Sequence, residues 1–219
     1  MSYLIEAWAW LLDPANQSGS GGIWARSFEH LWYTVLAIVL AAAIAVPLGW
    51  LVGHTGRGRG LIVVSTGATR ALPTLGVVTL AGLAFGIGLT APLVALVLLA
   101  APSILAGAYA GLEAIDRATL DAARAVGMSE WQVLRLVEIP LGLPLLLGGL
   151  RAATLQVVAT ATLAAYVGGG GLGRFLFLGL KTQDYPMMLA SALLVVALAL
   201  VLEVAFELAE RLVRRRLPA

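Results

Sequence analysis

Asp116-Arg-Ala-Thr-Leu-Asp-Ala-Ala-Arg-Ala-Val-Gly-Met-Ser-Glu-Trp-Gln-Val-Leu-Arg-Leu-Val-Glu-Ile-Pro140 lies between two long apolar runs. Asp116 is suited to N-cap a helix over 117–126, and Gly127 supplies the C′ residue that ends it. Ser129 starts a second helix, with Gln132 three residues on to complete a capping box. Pro140 lacks an N–H, so the second helix is expected to stop there and the chain to turn back. Two short helices with complete end signals make a compact, rigid projection. The small side chains of Ala122, Ala123 and Ala125 would let another surface approach closely. A subunit that receives mechanical force from a partner presents such an element.

Outward from this segment, the solvent of the chain is lipid. Of 219 residues, 60% are hydrophobic and only 12% charged, against about 25% charged in a soluble domain. The mean hydropathy is +0.94, and the charges bunch between long apolar runs. Five segments are predicted to span a membrane: 31–52, 60–86, 90–112, 141–167 and 187–206. The second is long for one helix, and a break or tilt is expected near Arg70–Pro73. Recurrent Gly, Ala, Ser and Thr within the spans permit close helix packing. The fold class is therefore an all-α integral membrane bundle of five helices, occupying residues 30–219 with the loop 113–140 exposed to the cytoplasm.

Residues 1–29 read as an interfacial helix and a linker. The apolar run 3–12 would reach roughly 15 Å as a helix, half the hydrocarbon thickness. Tyr3, Trp8 and Trp10 suit the headgroup region better than a disordered tail does. No basic leader or small-residue cleavage site marks it as a cleavable signal. Asn16-Gln-Ser-Gly-Ser-Gly-Gly22 is the polar linker.

An odd number of spans puts the termini on opposite sides, and basic residues choose between them. With the C-terminus inside, the cytoplasm holds Arg57, Arg59, Arg117, Arg124, Arg135, Arg211, Arg214, Arg215 and Arg216, while only Arg26, Arg174 and Lys181 lie outside. The expected topology is N-terminus out, C-terminus in. At the end of the last span, Glu207–Arg211 and Glu210–Arg214 form i,i+4 pairs on a solvated helix end.

Several chemistries lack the residues they need. There are no cysteines, so thiolate metal sites and cysteine nucleophiles are excluded, and with only two histidines, His30 and His54, a His-based metal or acid–base site is not expected. Ser18, Ser20 and Ser103 have no histidine within a span to act as base. With no P-loop and no acidic metal cluster, the chain is read as a non-enzyme that holds no cofactor, and no nucleic-acid partner is expected. Gly168, Gly170 and Gly173 satisfy G-x-G-x-x-G, but no strand precedes them; a flexible turn at an outer gate is the expected role. Arg70 and Arg151 are costly if they face lipid. Each either lines the pathway, pairs with a buried acid such as Glu203, or snorkels to the headgroups; for Arg70 beside the helix break the readings are even, and for Arg151 snorkelling is favoured.

Asp121-Ala122-Ala123, three residues, Gly127, nine residues, then Val137-Glu138-Ile139-Pro140 resembles the EAA motif of ABC importer permeases, with Asp for Glu and Val-x-Ile-Pro for I-x-L-P. Leu72-Pro73-Thr74-Leu75, Pro102 with Tyr109-Ala-Gly111, Gly149-Leu-Arg151-Ala-Ala153, Ala161-Thr-Leu-Ala-Ala165 and Gly168–Gly173 resemble segments of osmoprotectant permeases, so the likeness covers roughly 30–208. Ala106-Gly107 departs from the Arg-Asn found in many of them. The resemblance implies a type I importer bundle in the bacterial inner membrane, passing glycine betaine, choline, carnitine or similar compounds. It also implies an ATP-binding subunit that carries the ATP and magnesium, a second permease copy or homologue, and an extracytoplasmic binding protein that holds the selectivity. By the same likeness, coupling to the ATPase falls to Asp121, Ala122, Ala123, Gly127, Met128, Ser129, Val137, Ile139 and Pro140. Pathway or gate candidates are Arg70, Pro73, Thr74, Tyr109, Tyr166, Gly168, Gly171 and Gly173. Methionine-type importers share the five-span plan, and a stand-alone secondary transporter is the alternative of a different class.

Overall fold

Prolines and glycines divide an almost wholly helical chain. The computed structural model describes residues 2–60, 62, 64, 67 and 72–216, apart from the side chains of Arg214 and Arg216. Helix α1 (Ser2–Leu12) leads into the short α2 (Pro14–Gln17), where Asp13 accepts the Ala15 N–H at 2.9 Å and Pro14 takes the first helical position. Next come α3 (Ile23–Thr55), α4 (Thr74–Phe85), α5 (Thr90–Glu113), α6 (Arg117–Ala125) and α7 (Glu130–Val133). A π turn (Leu134–Glu138) joins α7 to α8 (Ile139–Thr160), a 3₁₀ segment (Ala161–Val167) follows, and α9 (Gly173–Thr182) and α10 (Tyr185–Arg216) complete the chain.

Among the described residues, four stretches are long and apolar enough to cross a membrane: Ile23–Thr55, Thr90–Glu113, Glu130–Val167 and Tyr185–Val213. The 33-residue α3 would extend about 50 Å, longer than hydrocarbon requires. It starts eight residues before the expected 31, because Arg26, Glu29 and His30 all find polar partners instead of interrupting the helix. In the expected second span, Leu72 and Pro73 are non-helical and Pro73 (φ −69°, ψ 114°) leads into the 12-residue α4. Arg70 lies outside the described residues.

Pro140 does not end the second short helix as expected. The chain passes from Glu130 through the π turn into α8 without leaving helical geometry. A proline offers no N–H and crowds the carbonyl four residues before it; one wider turn relieves both.

The chain divides into two compact units. One comprises Met1–Ile38, Leu72–Leu99 and Thr154–Leu202; the other Val39–Ala71, Ala100–Ala153 and Glu203–Ala219. In the first, Ile23, Leu172 and Phe175 form a buried cluster with Trp10, Leu11 and Met187. Residues 1–29 belong to this unit: Trp10 meets Phe175 edge-on at 5.1 Å and Tyr3 meets Tyr185 at 5.7 Å. Val78 and Ala81 of α4 pack with Ala91 and Ala95 of α5, and Val167 lies against them.

Glycine organises the second unit. A Cβ added to Gly107 of α5 would lie 2.8 Å from the Gly149 Cα of α8, and one added to Gly142 would lie 2.9 Å from the Gly111 carbonyl carbon. On the other side of α5, a Cβ at Gly53 of α3 would meet Leu112 at 2.8 Å. Backbone thus approaches backbone, the arrangement that dispersion forces reward in lipid, where burial of apolar surface gains little. Meanwhile Val35, Ile44, Leu200 and Val204 stay exposed, which suits a chain surrounded by apolar solvent.

Gly107→Ala should therefore destabilise the protein by about 1–3 kcal/mol, seen as a lower unfolding midpoint in detergent. Gly148→Ala, with open space around the new methyl, should leave the midpoint unchanged or slightly raised.

Candidate functional site

The 116–140 segment forms from local signals. The Asp116 carboxylate accepts the Ala118 N–H at 3.1 Å, so α6 starts where the sequence indicates. It ends in a Schellman arrangement: the Gly127 N–H donates to the Arg124 carbonyl at 2.9 Å and the Met128 N–H to the Ala123 carbonyl at 3.2 Å. Gly127 takes φ +86°, a conformation that side chains resist. The Ser129 N–H then donates to the Gln132 side chain at 2.8 Å within a full capping box.

Burial sorts the alanines of this segment. Ala122 and Ala125 are exposed, whereas Ala123 is only 8% exposed, so its small size serves the packing of the segment itself. Val126 (77%) and Trp131 (64%) are large apolar side chains left open beside Asp121, Arg124 and Glu130. Met128, Val137, Ile139 and Pro140 are half-buried, and Asp121 and Ser129 exposed.

A charged chain fastens the segment to α3. Arg124 donates to both Glu130 oxygens, at 2.9 and 3.0 Å, and stands 3.7 Å from Asp121. Hydrogen bonding from Glu130 pushes the Arg124 guanidinium pKa above its ordinary value. Glu130 Oε2 also faces His54 Nε2 at 3.6 Å, while His54 Nδ1 lies 2.6 Å from Glu138 Oε2. Glu138 is 3% exposed. His54, Glu138 and Arg124, with Tyr109, Arg117 and the Arg59–Glu113 ion pair (2.8 Å), line a cavity of about 390 Å³. Sequence reasoning named Val137, Ile139 and Pro140 but not Glu138 or His54. A lone acid inside Val-Glu-Ile-Pro was the available signal; its partner lies 84 residues away.

In the first unit, the glycine-rich turn is held at several points. The Gly171 N–H donates to Glu29 Oε2 at 2.9 Å, and Arg26 donates to the same oxygen at 2.7 Å. The Leu172 N–H donates to His30 Nδ1 at 3.3 Å, which leaves Nε2–H to donate to the Val158 carbonyl at 2.9 Å. Ser191 and Arg174 donate to the Leu172 and Gly169 carbonyls. Gly168 (φ +85°) and Gly171 (φ +80°) need the left-handed region, and Gly173 opens α9 against the Thr162 carbonyl. With the Glu29 carboxylate on the Gly171 N–H, the turn presents negative charge where a dinucleotide phosphate would sit. Tyr166 stacks at a tilt on Phe177 (5.7 Å) beside a cavity of about 850 Å³ lined by Arg26, Arg174 and Lys181. Pro73 and Thr74 mark the start of α4, and Tyr109 lines the 390 Å³ cavity.

Arg151 pairs with acids of α10, Glu203 among them. Its guanidinium pairs with Glu203 through both Nε (2.9 Å) and Nη2, and Nη1 reaches Glu207 at 3.0 Å and Glu210 at 3.4 Å. Three carboxylates from successive turns of α10 offer an Arg more than headgroups do, and the spacing 203, 207, 210 places them on one face. Glu207 also accepts from Arg211 at 2.9 Å, as the i,i+4 spacing suggested. Among the described residues, no cluster of His, Asp or Glu could hold a metal ion.

Residues 45–217 match the family described as "Binding-protein-dependent transport system inner membrane component". A glycine betaine/carnitine/choline transport system permease protein of Bacillus subtilis is 32% identical over 89% of this chain and 90% of its own length. An osmoprotectant import permease protein of Salmonella typhimurium is 35% identical over 89% and 90%. Among solved structures, a chain of the methionine ABC transporter in an inward-facing conformation superimposes with a TM-score of 0.73 at 25% identity, over 85% of this chain and 93% of that one.

Arg151→Gln should lower the unfolding midpoint in detergent by more than Arg211→Gln does, because it strands three like charges on one helix face. Adding Glu203→Gln and Glu207→Gln should recover most of the loss.

Proposed function

The chain belongs to the family of binding-protein-dependent transport system inner membrane components, the permease subunits of ABC importers, and from that premise we propose that its cargo is a small osmoprotectant such as glycine betaine, choline or carnitine. It is a membrane protein of the inner-membrane type and not itself an enzyme. The observation that carries the cargo assignment is identity of 32% and 35%, over about nine-tenths of both chains, to permeases whose names specify these compounds or osmoprotectants in general.

The chain works beside a second permease copy or homologue, over ATP-binding subunits that hold the ATP and magnesium. An extracytoplasmic binding protein delivers the cargo. Selectivity rests with that protein: the aromatic pair Tyr166–Phe177 borders a cavity with three cations, an unfavourable setting for a quaternary ammonium group that needs an uncrowded aromatic face. The 116–140 segment is the element that docks on the ATPase. Its support is a rigid, fully capped backbone with Ala122, Ala125 and Val126 exposed at its tip, an apolar patch rimmed by charge. ATP-driven closure of the ATPases moves this segment, and the spans pass from inward- to outward-facing. The clamped turn 168–173, with Pro73 and Thr74, is the gate candidate that this movement would release.

Reconstituted with its ATPase and binding protein, the permease should import radiolabelled glycine betaine, choline or carnitine only with ATP inside. Import of methionine alone would overturn the cargo assignment in favour of the structural neighbour's substrate. Gly127→Pro, which cannot take φ +86°, and Ala122→Arg, which blocks the exposed tip, should each abolish import while membrane insertion stays normal.

Orientation follows from the arginine distribution, N-terminus out. Because the chain has no cysteine, Ser20→Cys should react with a membrane-impermeant maleimide on intact cells. Thr119→Cys should react only after the membrane is opened; the reverse pattern would invert the topology.

A further inference from the structure

A carboxylate buried as deeply as that of Glu138 needs a partner to repay its lost hydration. His54 provides it, from the last turn of a helix that is distant in sequence. The same imidazole turns its second nitrogen toward Glu130, which Arg124 grips with two hydrogen bonds. One ring therefore stands between the start of α8, the capped turn at α7 and, through Glu130, helix α6. We infer that His54 is a positioning residue for energy coupling: it makes α3 follow the 116–140 segment when the ATPase moves it.

The reason lies in how force can travel. Helix α6 is joined by the backbone to α5 on one side and to α7 and α8 on the other, so a push on α6 reaches those helices through the chain. Helix α3 has no such link to the segment. Its contacts with α5 at Gly49 and Gly53 are close van der Waals approaches, which lack the directionality of a hydrogen bond. The polar route from the segment to α3 runs Arg124–Glu130–His54, and the His54–Glu138 bond at 2.6 Å fixes the same ring to α8. The inference rests on the ABC-importer reading but adds a residue outside the EAA-like motif.

A purely structural ion pair and a coupling link differ in one readout, the ATP hydrolysed per cargo molecule imported. The test uses the complete transporter with its ATPase and binding protein in liposomes, with radiolabelled glycine betaine as probe. His54→Leu combined with Glu138→Leu replaces the buried pair by apolar side chains, a change that folded proteins tolerate or even favour. That variant should assemble and hydrolyse ATP, yet the ATP-to-cargo ratio should rise about threefold or more, a size typical of broken contacts between neighbouring residues. Arg124→Gln breaks the same chain at an exposed position and should raise the ratio in the same direction.

An unchanged ratio in both the double variant and Arg124→Gln overturns the inference. So does a fall in hydrolysis and import by a common factor, since that reports only fewer intact complexes. Failure of the importer reading is visible separately, as absence of ATP-dependent import by the parent protein itself.

Discussion

Contact between bare backbones, Gly107 on Gly149 and Gly111 on Gly142, is the constraint on which the unit containing the 116–140 segment depends. An apolar helix in hydrocarbon gains little by exchanging lipid tails for another apolar helix, so association has to come from close approach. Without side chains at these positions, α5 and α8 come near enough for dispersion to act along their backbones. Gly49 and Gly53 do the same for α3 against α5. Three helices are thereby stacked through α5, and their arrangement brings the end of α3 to the start of α8, where His54 and Glu138 meet.

Charge is the second constraint, and it is met by pairing. Within the first unit, Arg26, Glu29 and His30 lie in an unbroken helix and bind one another, the Val158 carbonyl or the backbone of the glycine-rich turn. Within the second, Arg151 gathers carboxylates of α10, and His54 with Arg124 satisfies Glu138 and Glu130. Ionisable groups at membrane depth are tolerated in such pairs. The glycine-rich turn illustrates the consequence: a motif that looks loose in sequence is tied by Glu29 and His30, so any gating there must break specific hydrogen bonds.

The 116–140 segment has a different origin. Its two helices are delimited by Asp116, Gly127, Ser129 and Gln132, each acting within four residues, and for that reason its form is legible in the amino-acid order itself. The departure at Pro140 arises because a proline constrains only its own turn. Whether the helix stops or widens by one residue is decided by the neighbours, and here the π turn keeps Glu138 buried against His54.

From the sequence alone came the lipid solvent, the all-helical class, the capped segment and the break before α4, because hydropathy, caps and proline act over a turn or a span. The likeness of Asp121–Pro140 to the EAA motif named the family from residues at short, regular spacing. Tertiary structure alone decided the inward side of Ala123, the acidic partners of Arg151, the clamp on Gly171 and the His54–Glu138 bond. The last three join residues 52 to 142 positions apart, and no local preference of the chain encodes which distant side chain will arrive. Helix packing brings such partners within hydrogen-bonding reach, as the glycine contacts of α3, α5 and α8 do for His54 and Glu138.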